Sequence, residues 1–259
     1  MNPFKNFLTD RLGRRKILNV FKTKTAKGEE TRQRIFETAL GLFRTRGFDA
    51  TTMRDVAAEA GQSLGAAYHY FPSKDAIVLA YYDSVQDEHA RRVSDTLAAG
   101  GGLRETLTAV FQSKLDILAL DRPLMGALLR YTGDPRHPLS FLGPGTRDLQ
   151  LRSMALFRDA IGRERLPDDI RAVLPTLLWA MHMGLLLYFL YDDSPRQRRT
   201  RALTDAAVGL FVRALAVARL PGLRPIRRSV LQLLDEAGLL TDEAQISRAV
   251  NRDLQEVLR

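Results

Sequence analysis

Almost every segment of this chain places its apolar residues at helical spacing, and nowhere do they alternate over the length of a strand. No Asn-Gly or Asp-Gly pair marks a hairpin, and no segment repeats at a fixed period. An all-α fold follows. Glycine and proline then divide the chain. Helices are predicted over Glu29–Arg46, Thr52–Ala60, Ser63–Tyr70, Lys74–Ala98, Leu103–Leu120, Arg122–Tyr131, Thr146–Gly162, Asp168–Tyr191, Arg196–Arg219, Ile226–Ala237 and Thr241–Leu258. Thr132–Gly145, with three prolines and three glycines, is predicted as a loop. A chain of 259 residues, 45% hydrophobic, has room for one large domain or two unequal ones.

Composition excludes several chemistries. There is no cysteine, hence no disulfide, no thiolate nucleophile and no cysteine zinc site. His69, His89, His137 and His182 lack metal-ligand spacing, so no metal is expected. Nor is there a phosphate-cradling glycine loop, a nucleophile–base pairing or a paired-carboxylate motif, so neither a cofactor nor an enzymatic activity is expected.

The net charge is +9, and most of it sits at one end. In residues 1–28, Lys5, Arg11, Arg14, Arg15, Lys16, Lys22, Lys24 and Lys27 stand against Asp10 alone, a net +7. Such an arm suits a polyanion, either nucleic acid or an anionic membrane surface, or is a solvated leader. It is not a signal peptide, because charges interrupt its apolar residues.

Val173–Tyr191 has no charged residue over 19 positions, close to the roughly 20 that span a bilayer. A membrane-associated helical protein, with 173–191 as its span and the arm on lipid, is therefore one alternative. A buried core helix or a helix–helix dimer seam fits the same stretch. Those readings also accommodate Pro175, Thr176 and His182 and the acidic pairs that flank the helix.

The motif with functional content lies between Thr52 and Phe71. Thr52-x-x-Asp55 is a capping-box pattern that opens a short helix. Gly61 supplies the left-handed backbone that closes it, and Ser63 can cap the next helix. Ala57 is small enough for the second helix to cross closely, and Val56 and Ala67 can pack in the angle. These are the parts of a helix-turn-helix. The pattern is longer than that motif alone. Thr31-Arg32-Gln33-Arg34-Ile35 begins the preceding helix, Gly47-Phe48-Asp49-Ala50-Thr51-Thr52 joins the two, and Tyr68-His69-Tyr70-Phe71-Pro72-Ser73-Lys74-Asp75 follows.

Over Thr31–Ile77 the chain resembles the TetR family of bacterial transcription regulators. The resemblance implies an N-terminal three-helix DNA-binding domain and a C-terminal helical domain that dimerises and holds an effector pocket. The expected division is a basic arm at 1–28, a helix-turn-helix domain at 29–75, a ligand-binding and dimerisation domain at 76–221 and a helical extension at 222–259. The implied protein is cytoplasmic and nucleoid-associated. It binds a double-stranded, near-palindromic operator as a homodimer, without a membrane, and a small apolar effector releases it.

The resemblance lays Ser63–Tyr70 in the major groove. Gly65, lacking a side chain, lets the backbone approach the duplex. Tyr68 and Tyr70 can reach phosphates, sugars or thymine methyls, and Phe71 belongs to the core by helical spacing. His69 can touch a base or a phosphate, and Gln62 can pair with adenine. Thr52, Ser63 and Arg54 stand at helix N-termini where a phosphate is favoured, and Lys74 is a phosphate anchor. Leu64 departs from the family pattern, which often has a polar or basic residue there. An apolar contact to a thymine methyl is then its option.

In the second half, a subset of the apolar side chains is expected to line the effector pocket: Phe111, Met125, Leu128, Phe157, Trp179, His182 and Met183. His182 and Trp179 offer polar handles, with a satisfied buried donor as the plainer reading of each. Helices at about 168–191 and 196–219 occupy the family's dimerising position. Leu203, Ala207, Leu210, Phe211, Ala214, Leu215 and Ala218 fall at seam spacing along the second.

Overall fold

The computed structural model describes residues 26–134 and 136–236. The basic arm up to residue 25, the end of the helix expected at 226–237 and the helix expected at 241–258 lie outside the described residues. All regular structure among the described residues is helical: α1 (Ala26–Arg46), α2 (Met53–Glu59), α3 (Leu64–Tyr70), α4 (Lys74–Ala99), α5 (Leu103–Leu118), α6 (Arg122–Thr132), α7 (Arg147–Ile161), α8 (Asp168–Tyr191), α9 (Arg198–Ala218) and α10 (Arg224–Glu236). The chain divides into two compact units between Val78 and Leu79.

In the first unit, local chemistry fixes each helix end. At the start of α2 the capping box is complete. Asp55 N–H donates to Thr52 Oγ1 at 3.2 Å, and Thr52 N–H donates to Asp55 Oδ2 at 2.8 Å. At its end, Gln62 N–H donates to Ala57 O at 2.8 Å and Gly61 N–H to Ala58 O at 3.1 Å. This is a Schellman closure, and it requires the positive φ of +63° that Gly61 adopts. Ser63 Oγ then accepts from Ala66 N–H at 3.1 Å and opens α3 one residue later. Ile35, Ala39 and Phe43 of α1, Val56 and Ala57 of α2, and Ala67 of α3 bury together with Phe71 and Ile77. Phe71 stacks on Phe36, with ring centroids 6.3 Å apart. A Phe71→Ala change should therefore cost about 3–5 kcal/mol.

The second unit packs α7 and α8 against α5 around Leu107, Val110, Phe111, Met154, Phe157, Ile161, Leu174 and Leu178. α8 has the predicted boundaries and passes the length and composition test for a membrane span, yet half of its most apolar window is buried within the unit. The membrane reading is not favoured.

α9 starts two residues later than predicted, because the side chains that satisfy its first turn stand upstream. Asp192 accepts from Thr200 N–H and Thr200 Oγ1–H at 2.8 and 2.7 Å, and Ser194 Oγ accepts from Arg199 N–H at 3.1 Å. α10 starts before Pro225 instead of after it, since a proline is tolerated in a first helical turn. Its described part packs on the same chain: Arg227 binds Asp169 Oδ2 at 3.0 Å, and Leu231 lies against Val173. Within the loop expected at 132–145, the described residues 136–143 form turns and bends, and they are tucked inward. Leu139 and Ser140 are fully buried, and Ser140 Oγ donates to Thr132 O at 2.9 Å.

Candidate nucleic-acid interface and ligand cavity

α3 has two contrasting sides. Ala67 is fully buried, and Phe71, which ends the helix, is 2% exposed. On the other side Leu64, Gly65, Tyr68 and His69 are exposed, Tyr68 at 48%. Aliphatic and aromatic surface of this kind is costly to leave in water on so small a unit. Gly65 has open space where a Cβ would stand, so no fold contact demands a glycine there. Tyr70 is half-buried, its ring edge-on to His69 at 5.2 Å.

Around α3 stand the other predicted residues. Ser63 is exposed and its Oγ is the α3 cap. Gln62 is half-buried; its backbone N–H closes α2. Arg54 is exposed in the first turn of α2. Thr52 is exposed, but its hydroxyl donates to Asp55 Oδ2 at 2.6 Å. Lys74 is half-buried. Its ammonium donates inward to Phe48 O at 2.6 Å and lies 4.5 Å from the centroid of the Phe48 ring. Partial burial lowers its pKa, against the opposing pull of Asp75 and Asp55.

In the second unit a cavity of about 550 Å³ opens among α4, α5, α6, α7 and α8. Met125, Trp179 and Met183, three of the residues expected at an effector pocket, line this cavity. Leu118, Leu129, Leu139 and Phe141 supply further apolar wall. Phe111, Leu128, Phe157 and His182 do not line it: each is 0–1% exposed and sealed in the core beside it. His182 is not a satisfied donor either. Among the described residues neither ring nitrogen has a hydrogen-bond partner, and Phe111 and Phe157 present ring contacts at 5.2 and 5.6 Å. Burial, with His89 and Lys114 adding, holds His182 neutral, far below the ordinary histidine range. Among the described residues no group of three or more potential ligands could hold a metal ion.

Comparison with known proteins gives these two units their context. The family described as "Bacterial regulatory proteins, tetR family" matches residues 35–81, and "Tetracyclin repressor-like, C-terminal domain" matches residues 106–256, more than half of the chain. The chain belongs to the TetR family. TetR-family proteins are DNA-binding transcriptional regulators, not enzymes. The HTH-type transcriptional regulator YuxN of Bacillus subtilis (strain 168) is 33% identical over 92 residues, 34% of this chain and 32% of the relative. TtgR of Pseudomonas putida, another HTH-type transcriptional regulator, is 36% identical over 90 residues, 33% of this chain and 43% of the relative. The chain thus spans about a third of one curated relative and less than half of the other. The TetR transcriptional regulator from Nitrosomonas europaea ATCC 19718 shares the fold with a TM-score of 0.57 at 18% identity, over 69% of this chain and 96% of that one. The fatty acid degradation regulator FadR from Bacillus halodurans does so with 0.54 at 11%, over 72% and 96%.

Within this TetR-family fold, sequence reasoning missed the polar groups of the cavity. Lys114 and Gln86 line it, and both are buried, at 6% and 5% exposure. A signal was present. Lys114 sits three, four and seven residues after Phe111, Val110 and Leu107, on the apolar face of α5. A lysine at such a position either snorkels or serves a site. Burial, assisted by Arg152, pushes its ammonium pKa down to about 7.

Proposed function

We propose that the chain is a homodimeric repressor that reads a near-palindromic operator through α3 and is released when a small, largely apolar effector enters the cavity of the second unit. The observation that carries the reading is the exposed face of α3. Leu64, Gly65, Tyr68 and His69 turn outward there, and Gly65, with open space about it, sits where a duplex backbone would come nearest. Gln62, Ser63, Thr52, Arg54, Tyr70 and Lys74 complete the DNA-facing set.

Dimerisation uses α8 and α9. Leu203, Leu210 and Val217 recur at seven-residue intervals along α9 and are 43%, 62% and 55% exposed, while Leu187, Tyr188 and Tyr191 are exposed near the end of α8. Two recognition helices about 34 Å apart then meet successive major grooves on one face of the duplex. The basic residues 1–28 add phosphate contacts. The protein works in the bacterial cytoplasm, at the nucleoid.

Some TetR-family relatives, such as KstR2 of Rhodococcus jostii (strain RHA1), are named transcriptional repressors, which favours repression over activation. A gel shift with the DNA upstream of the chain's own reading frame tests the proposal. The intact chain retards it and Tyr68→Ala does not, although both remain dimers. Equal retardation by both would refute the docking of α3.

A further inference from the structure

Lys114 and Gln86 form a donor pair with no acceptor to complete it. Lys114 Nζ donates to Gln86 Oε1 at 3.0 Å, and this is its one hydrogen bond among the described residues. The Gln86 amide nitrogen, buried, has no partner among them. Nor does any described carboxylate pair with the lysine. The acids of the neighbouring helices, Asp83, Asp87 and Asp148, all bind Arg152. A buried ammonium held by one neutral amide is an incomplete arrangement, because removing a charge from water costs several kcal/mol unless a counter-charge and full hydrogen bonding offset it.

Both residues line the same cavity, whose remaining wall is dominated by Leu118, Met125, Leu139, Trp179 and Met183. A ligand that completes this site has to be acceptor-only at one end and apolar over the rest. A carboxylate meets the first condition. It has two oxygens, donates nothing when ionised, and forms charge-assisted bonds with an ammonium. A neutral amide or alcohol supplies fewer acceptors and no charge. The cavity volume of about 550 Å³ falls within the range of sites that enclose whole small molecules.

We propose that the effector is an amphipathic acid, its carboxylate received by Lys114 Nζ and Gln86 Nε2 and its apolar body by the Met125–Leu139–Trp179–Met183 wall. This rests on the reading of the cavity as the effector site. Lys114 thereby sets the ligand class, and the wall sets chain length and shape. His89 and His182, neutral behind the lysine, add no competing cation.

Calorimetric titration of the full-length dimer with matched acids and amides tests the assignment. Decanoate is compared with decanamide, and 4-phenylbutyrate with 4-phenylbutanamide. In the unmodified protein at least one acid binds about tenfold or more tightly than its amide. In Lys114→Gln that ratio falls to about one, while the affinity for the amide is unchanged. If the amides bind as well as the acids, the head-group assignment is wrong and the cavity reading stands. If acid preference survives in Lys114→Gln, the lysine is not the receiver. If none of the four compounds binds the unmodified protein, both the assignment and the cavity reading fail.

Discussion

Lys74 Nζ, at the start of α4, donates to the carbonyl of Phe48 at 2.6 Å and lies over that residue's ring, tying the link between α1 and α2 to the end of the helix-turn-helix. The family resemblance leads to the expectation of a phosphate anchor at this lysine. The geometry adds a structural role, because a charged donor on a carbonyl contributes about 1.5–3 kcal/mol. Lys74→Met should lower the stability of the first unit by about 1–2 kcal/mol, in denaturant melts followed by circular dichroism. An unchanged midpoint would remove the structural role and leave only the phosphate one.

The capping box makes a second prediction. Thr52→Ala removes one cap bond of α2 and should cost about 1 kcal/mol at neutral pH. Hydrogen bonds from the Thr52 side chain and backbone hold the Asp55 carboxyl below its ordinary range. A depressed carboxylate contributes stability above its unfolded pKa of about 3.9, and the contribution is lost as pH falls through the folded value. The gap between parent and Thr52→Ala should therefore shrink in melts at about pH 3 compared with pH 7.

His182 and His89 predict acid sensitivity in the second unit. Burial pushes His89 down to about 3 and His182 well below its ordinary value. Unfolded, both protonate near pH 6.5 and bind protons that the folded state refuses. Their contribution is complete above about pH 6.5 and declines as pH falls below it. His182→Phe, which removes two buried nitrogens that have no partner among the described residues, should raise the melting temperature most at pH 5 and least at pH 8. A shift that is the same at both pH values would contradict the neutral, buried assignment.

Dimerisation through α9 is tested by Leu210→Asp. Leu210 is 62% exposed, so the change leaves the packing of this chain intact while placing a charge in the proposed seam. Sedimentation should give the monomer mass with unaltered helicity. A dimer of the parent mass would move the interface elsewhere.

Much of this architecture could be read from the residues. The Gly47, Gly61 and Gly100 breaks all adopt positive φ, and the Thr52 and Ser63 caps form as their side chains dictate. Local chemistry fixes such features, so they are legible locally. The cavity was not. Met125, Trp179 and Met183 face it whereas Phe111, Leu128 and Phe157 do not, and nothing in composition separates the two groups. The distinction comes from how α5 to α8 cross, and from a proline-rich segment that folds inward and contributes Leu139 to the wall. Seam spacing along α9 likewise could not tell that Leu215 is buried in its own chain while Leu210 faces outward.

In the proposed docking the open face of α3 lies against DNA, and Gly65 is the position at which that docking is most sensitive to a side chain. A Cβ at this position meets nothing within 4 Å, so neither Gly65→Ala nor Gly65→Glu should disturb the fold. Fluorescence anisotropy of labelled upstream DNA, titrated with the parent and both variants, should give measurable binding for the parent and none for Gly65→Glu, with melting points no lower than the parent's, since either residue favours a helix over glycine. Parent-like affinity in Gly65→Glu would contradict the account, because a carboxylate in the groove-facing turn of a recognition helix cannot be accommodated against the phosphates.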